Sequence, residues 1–382
     1  MRLLKKLSLS ILPAMIFIYS CQVSPGKKEV FTSGSEKFVI DTLATGLEVP
    51  FGLDFLPDGK LIFTERSVKN ESIRVLDSAT GIITNVGNVP SVLSEGDAGM
   101  LDILVHPAYA SNGWIYYAYS RIKPDSTSTL IVERAKIVNN NFTGRQQLFE
   151  VLPYYKSSSH FGCRLLIRDG YLYISMGDRY AAKDSAQTLS NDFGKIIRLH
   201  DDGRIPADNP FVNNKNARPE IWSYGHRNPQ GLAFHPATGE LWEHEHGPQG
   251  GDEINIIKPG HNYGWPIITY GEEYGGGKIG AGIVAKEGME QPHYFYRPSI
   301  APSGMTFYTG DKFPSWKNSL FLGSLAYKHL NHLYVKSDTI AREERLLTKQ
   351  EWRIRNVKQG PDGLLYIATD KGMILRLRPF VK

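Results

Sequence analysis

Arg164-Leu-Leu-Ile-Arg-Asp-Gly-Tyr-Leu-Tyr-Ile-Ser175 reads as two short apolar strands joined at Asp169-Gly170. Asp-Gly between such runs is a strong hairpin signal, because glycine supplies the positive φ that a two-residue turn needs. Five other stretches repeat the design. They are Gly52-Leu-Asp-Phe-Leu-Pro-Asp-Gly-Lys-Leu-Ile-Phe-Thr64; Met100-Leu-Asp-Ile-Leu-Val-His-Pro107 with Gly113-Trp-Ile-Tyr-Tyr-Ala-Tyr119; Gly231-Leu-Ala-Phe-His-Pro-Ala-Thr-Gly-Glu-Leu-Trp242; Gly304-Met-Thr-Phe-Tyr308 with Ser319-Leu-Phe-Leu-Gly-Ser324; and Val357-Lys-Gln-Gly-Pro-Asp-Gly-Leu-Leu-Tyr-Ile-Ala368. No useful helical periodicity appears after residue 37. The units start about 50 to 70 residues apart, the length of a four-stranded blade with its loops. The fold class expected is all-β, a six-bladed β-propeller over residues 38–382. Phe38 to Leu43 should pair with the C-terminal strand near Ile374 to Leu377 and close the ring.

Composition agrees. The chain has 382 residues, 41% hydrophobic and 22% charged, which excludes a disordered chain and a coiled coil. Glycine (37), tyrosine (20) and phenylalanine (17) are abundant, as strands and tight turns require. Two cysteines exclude a disulfide scaffold and a cysteine zinc cluster. Formal net charge is +5, of which Arg2, Lys5 and Lys6 account for three. The remainder is too weak to argue for nucleic acid.

Residues 1–20 have a basic start and an apolar run, Leu7 to Ser20, of 14 residues containing Pro13. That is short for a membrane span of about 20 residues and reads as a secretory signal. Ile18-Tyr19-Ser20-Cys21 resembles the bacterial lipobox, which implies cleavage before Cys21 and a lipid anchor on it. The alternative is an ordinary cleaved signal. Export to the periplasm or the cell surface is expected either way. Residues 21–37, with Pro25, Gly26 and Lys27-Lys28, read as a polar tether. Cys163 is then a lone thiol, expected as a small buried hydrophobe.

Three stretches are too polar and too rich in glycine to be mere connectors: Ser159-His-Phe-Gly-Cys-Arg164, Tyr224-Gly-His-Arg-Asn-Pro-Gln-Gly231, and Glu243-His-Glu-His-Gly-Pro-Gln-Gly-Gly-Asp-Glu-Ile-Asn255 continuing to Asn262-Tyr-Gly-Trp-Pro266. His160 just before a strand is a candidate general base, because neutral imidazole accepts a proton near pH 7. Asp178 follows the next strand, and in one hairpin the two meet at the same end. A carboxylate there fixes the tautomer; a capping histidine is the alternative. Gly247 to Glu253 offers carbonyls and carboxylates of the kind calcium takes. His244 and His246 alternate around Glu245 and should face one way, as a zinc or iron pair or in ordinary hydrogen bonding. Arg353 and Arg355 also alternate and, with Arg227, suit a ligand with several carboxylates. A solvated strand face is the alternative.

Together these motifs resemble the soluble quinoprotein sugar dehydrogenases, the family of aldose sugar dehydrogenases and soluble PQQ-dependent glucose dehydrogenase. The stretches that carry the resemblance are His160-Phe-Gly-Cys-Arg-Leu165, Gly194-Lys-Ile-Ile-Arg-Leu199, Ile205-Pro-Ala-Asp-Asn-Pro-Phe211, Ile221 to Gly231, Glu245 to Asn255 and Asn262 to Pro266. It runs from about residue 46 to 378. The resemblance implies a propeller with PQQ on its top face and an aldose oxidised at C1 to the lactone. His160 would take the C1 hydroxyl proton and Asp178 would orient it. Arg227, Asn228, Tyr274, Arg353 and Arg355 would contact PQQ. Gly247 and Pro248 would offer carbonyls to Ca²⁺, and Glu253 and Tyr263 fall on a further calcium site. Two positions depart from the family. Asp97 stands where the family has a PQQ-contacting glutamine, and Ala326 stands where it has a lysine, with Lys328 the nearest substitute cation. The implied partners are an aldose, an external electron acceptor, and a membrane reached only through Cys21, in a monomer or a homodimer. Two other readings remain: a sugar-binding module on the same fold, and a calcium-dependent hydrolase of lactonase type.

Overall fold

A computed structural model describes residues 29–67 and 72–381. The sequence forms six antiparallel sheets in a ring, a six-bladed β-propeller. Blade 1 holds Pro50–Phe55, Leu61–Glu65, Ile73–Leu76 and Ile83–Asn85. Blade 2 holds Met100–Val105, Ile115–Ile122, Ser128–Val138 and Asn141–Glu150. Blade 3 holds Leu165–Arg168, Tyr171–Met176, Lys195–His200 and Ile221–Tyr224. Blade 4 holds Pro229–Phe234, Leu241–Glu245, Asp252–Ile257 and Tyr294–Tyr296. Blade 5 holds Pro302–Phe307, Leu320–Ser324, Leu330–Lys336 and Thr339–Leu346. Blade 6 holds Ile354–Gln359, Leu365–Thr369 and Met373–Pro379, completed by Glu36–Ala44.

The first strand of each blade lies on the axis beside the first strands of its neighbours. Met100–Val105 and Pro50–Phe55 are buried at five of six positions, so they read as nearly continuous apolar runs. The cores lie between blades: Leu101, Leu104 and Tyr116 of blade 2 pack with Leu172, Ile174 and Ile197 of blade 3. Glycine lets the inner strands approach. A Cβ at Gly52 would fall 2.6 Å from the backbone nitrogen of Ile103, and one at Gly304 the same distance from Asn356 Cα.

The ring closes as expected. Ile40 pairs with Leu377, Asp41 with Arg376 and Thr42 with Leu375. The segment expected as a tether to residue 37 is already folded from Phe31. Phe31–Ser33 pairs with Glu36 to Phe38, Phe31 stacks on Phe38 at 5.4 Å, and buried Ser33 bonds His332 and Glu344 of blade 5. Two aromatic rings and a satisfied hydroxyl outweigh the polar composition of that stretch. The signal region and Cys21 lie outside the described residues. Among the described residues no helix is long and apolar enough to cross a membrane. Cys163 is buried and free.

Arg164 stands at the hub. It donates to the carbonyls of Gln230, Phe51 and Arg355 and to Asp102 Oδ1, at 2.9 to 3.2 Å, and so ties blade 3 to blades 4, 1, 6 and 2.

Candidate active site

In an antiparallel hairpin the start of the first strand and the end of the second lie at the same end of the blade. Most of the chemistry-bearing residues occupy one of those two places. Asp97, His160, Arg227, Asn228 and Arg353 precede first strands, and Arg355 sits at the start of one. Arg66, Asp178, His246, Ala326 and Asp370 follow second strands. They meet over the hub, where a cavity of about 270 Å³ is lined by Arg66, Asp97, His160, Arg227, Asn228, His246, Tyr274, Ala326, Arg353 and Arg355. A second hollow of about 190 Å³ shares Arg227 and Tyr274 with it and is walled by Tyr180, Trp265, Pro248 and Asp178.

His160 and Asp178 form the expected pair, with Nδ1 2.6 Å from Oδ1. Asp178 is fully buried. Its Oδ1 also accepts the Tyr180 backbone N–H at 2.7 Å, and its Oδ2 accepts Trp265 Nε1–H at 2.7 Å. Facing an ionised carboxylate, which only accepts, a neutral imidazole carries its proton on Nδ1 and has its lone pair on Nε2. The backbone is shaped for this. His160 has φ 51°, and a Cβ at Gly177 would fall 2.3 Å from the His160 carbonyl oxygen. The Met176-Gly177-Asp178 turn therefore admits glycine alone at its centre.

Arg353 and Arg355 do face one way. Arg355 grips Asp370 through Nε and Nη2, both at 2.8 Å, and Arg353 Nε reaches the same carboxylate at 3.0 Å. Arg227 Nη1 donates to the carbonyls of Gly247 at 2.6 Å and His246 at 3.0 Å. Arg66, which sequence reasoning missed, lines the same cavity near Arg355 and Asp97. Burial first, and then the neighbouring Arg355, lowers its pKa from the usual guanidinium value. The Nε atoms of Arg66 and Arg227 are buried without a partner. Asp97 Oδ2 accepts the His160 backbone N–H at 3.2 Å, and Oδ1 lies 4.0 Å from Arg66 Nη1. Its charge therefore has a cation facing it. Lys328 does not substitute for the family lysine: it pairs with Glu351 on the surface. Ala326 and Leu325 give the cavity an apolar wall.

The residues expected for calcium separate into two places. The Gly247 carbonyl is held by Arg227, and Pro248 lines the second hollow. Glu253 belongs to a buried group within blade 4. Cross-strand register sets Glu243 opposite Asn255 and Glu245 opposite Glu253. Asn255 Nδ2 lies 3.2 to 3.4 Å from all three carboxylates. Glu243 Oε1 and Asn255 Oδ1 are buried without a partner. Burial and repulsion from Glu245 push the carboxyls of Glu243 and Glu253 well above their usual range. His226, Glu243 and Glu245 bring ligand atoms within 4.8 Å of one another. The Tyr263 hydroxyl is spent on the Ile256 carbonyl and the Lys258 N–H, and its ring stacks on His226 at 4.7 Å. His244 and His246 face one way, each bonding a blade 5 carbonyl, Gly304 at 3.2 Å and Pro302 at 2.7 Å. Burial lowers both to about 3, so both are neutral.

A family model described as Glucose / Sorbosone dehydrogenase matches residues 47–376. The sequence is 40% identical over 350 residues to "Aldose sugar dehydrogenase YliI" of Escherichia coli (strain K12), covering 89% of this chain and 92% of that one. It is 29% identical over 420 residues to "Quinoprotein glucose dehydrogenase B" of Acinetobacter calcoaceticus, covering 88% and 86%. Among solved structures, the soluble aldose sugar dehydrogenase from Escherichia coli in the apo-form superposes with TM-score 0.85 at 38% identity, over 90% of this chain and 100% of that one. The PQQ-bound form of aldose sugar dehydrogenase from Streptomyces coelicolor superposes with TM-score 0.71 at 28% identity, over 90% and 98%.

Proposed function

This chain belongs to the glucose/sorbosone dehydrogenase family, and from that premise we propose that it is an oxidoreductase that oxidises an aldose at C1 to the lactone with PQQ and calcium. The observation that carries the reading is the His160–Asp178 pair, with His160 in the wall of a cavity that four arginines also line.

The residues fit PQQ, which has three carboxylates. Four guanidiniums and one carboxylate, Asp97, line the cavity, Asp370 holds Arg353 and Arg355 from behind it, and two guanidinium Nε atoms are buried without a partner. A ligand with several carboxylates completes that set. Arg66, Arg227, Arg353 and Arg355 would hold it, with Asn228 and Tyr274 beside them. Bound there, PQQ supplies the two-electron acceptor for the hydride lost from C1. His160 Nε2 accepts the proton of the C1 hydroxyl, and Asp178 steadies the imidazolium that results. Tyr180, Trp265 and Tyr274 give the sugar aromatic walls. Arg66 faces Asp97 and would offset that carboxylate beside the cofactor.

Calcium fits the blade 4 carboxylates. Oxygen donors with two orphaned atoms, at Glu243 and Asn255, suit a hard cation. Glu243, Glu245 and Glu253 would hold it. At Gly247 a cation would have to displace the Arg227 guanidinium.

Export and anchoring through Cys21 are proposed from the sequence pattern and are tested by the mass and acylation of the mature chain. The catalytic reading is tested by titrating the lipid-free protein with PQQ in millimolar Ca²⁺ and then adding glucose. Saturable binding and bleaching to the reduced quinone are expected. Absence of binding at high PQQ would overturn the reading in favour of a glycan-binding module or a hydrolase.

A further inference from the structure

We infer that Trp265 is the positioning residue of the proton-accepting pair: its hydrogen bond to Oδ2 fixes the Asp178 carboxylate in the orientation that presents Oδ1 to His160 Nδ1. The inference rests on the dehydrogenase reading for its kinetic consequence, but not for its structural one.

Three donors reach Asp178 from two directions. His160 Nδ1 and the Tyr180 N–H share Oδ1, and Trp265 Nε1 alone holds Oδ2. Tyr180 is two residues along the same turn and moves with Asp178. Trp265 arrives from the long connection between the third and fourth strands of blade 4, so it is the outside restraint on the carboxylate. It is itself fixed. Its backbone N–H donates to the Gly225 carbonyl at 2.9 Å, and its carbonyl accepts Gln187 Nε2–H at 2.7 Å. Its ring is 7% exposed and lies 5.2 Å from the Arg227 guanidinium. One side chain thus spaces the base pair from a cofactor-binding arginine.

D178N sets the indole N–H against the amide. The amide has one acceptor and one donor, and donors already point at both ends. With its oxygen toward His160 and Tyr180, its NH₂ meets the Trp265 N–H. With its oxygen toward Trp265, its NH₂ meets the Tyr180 N–H and donates to His160 Nδ1. That second arrangement moves the imidazole proton to Nε2 and removes the lone pair there. Taking away the indole N–H as well relieves the first arrangement and leaves it the only good one. W265F should therefore harm the native protein and help D178N.

The experiment compares wild type, W265F, D178N and D178N/W265F, each as the full mature chain with PQQ and Ca²⁺. It reads kcat, KM, the PQQ dissociation constant and, without PQQ, the His160 tautomer from ring ¹⁵N shifts. Loss of a hydrogen bond to a buried charged group corresponds to roughly 10- to 100-fold in rate, so W265F is expected to lower kcat by that factor. PQQ affinity should stay within about twofold, because phenylalanine keeps a π face toward Arg227. On D178N the same change is expected to raise kcat. The tautomer with the proton on Nε2 should appear in D178N and vanish in the double variant. W265H, which keeps a ring N–H, should retain more turnover than W265F. An equal factor in both backgrounds, or one tautomer common to D178N and the double variant, overturns the inference. A wild type that binds no PQQ and turns over no sugar overturns the dehydrogenase reading instead, and the tautomer comparison still decides the role of Trp265.

Discussion

Arg66 offers the clearest separation of cofactor binding from stability. It is largely buried, its Nε has no partner, and Arg355 and Arg353 lie close enough to lower its pKa. In the empty protein this guanidinium is held against repulsion, and its nearest anion is Asp97 at 4.0 Å. Coulomb attraction at that distance is about 4 kcal/mol at an effective dielectric of 20 and about 1 in water. Asp97 has a side chain 48% exposed, so the lower figure applies. An unsatisfied buried donor costs about 1–3 kcal/mol, which is as large as that attraction. R66M should therefore leave the melting temperature of the cofactor-free protein unchanged or slightly raised. With the cofactor, Arg66 gains a carboxylate partner. Charge-assisted hydrogen bonds contribute about 1.5–3 kcal/mol, so R66M should weaken PQQ binding by roughly 10- to 150-fold. Binding is read by isothermal titration in millimolar Ca²⁺ and stability by thermal melting without PQQ. Unchanged PQQ affinity would refute the placement of Arg66 at the cofactor. A melting temperature several degrees lower without PQQ would refute the claim that this charge is strained in the free protein.

H160A should lower kcat by about 10²- to 10⁴-fold with PQQ affinity retained, as steady-state kinetics and titration will show, because the general base is lost and the arginines are not. A chelator should lower the wild-type melting temperature, by the equivalent of roughly 2.7 kcal/mol if Ca²⁺ had stood at a hundredfold over its dissociation constant. E243Q/E253Q should melt at a temperature that the chelator does not move. Burial, and then Glu220, raises Asp192 to about 7. A raised acid holds its proton more tightly when folded, so stability is lost as pH climbs from about 4 toward 7. Melting temperature should fall across that window, and D192N should flatten the fall.

The inner hairpins were legible because they are buried on both sides and end in Asp-Gly or similar turns. The outer strands were not. Asn141–Glu150 buries only Phe142 and Phe149, and Thr339–Leu346 only Leu346, so neither shows an apolar face. In the site, His160, Asp178 and the alternating arginines carry local signals or family motifs. Arg66 and Asp370 are single residues in loops, and Trp265, though inside the Asn262 to Pro266 motif, shows its partner Asp178 only in the three-dimensional ring. Arg66 and Asp370 could have been found by their place directly after second strands, the position that also marks Asp178. Glu243 and Glu245 alternate with His244 and His246 along and just beyond one strand, so the sequence shows no carboxylate cluster there. The strand register opposite Glu253 and Asn255 gives the carboxylates their meaning.

The seam between Glu36–Ala44 and Met373–Pro379 has a consequence for how the molecule is made. Asp41 and Arg376, partners across it, stand 335 positions apart. A ribosome delivers Asp41 ahead of Arg376 by those 335 positions. Until then the early strand has an open hydrogen-bonding edge. Loop closure over that separation is entropically slow but costs little more than a shorter one. The last strand therefore acts as a check on completeness. A chain released before Met373 presents an unmatched edge, the feature that marks a polypeptide for aggregation or degradation.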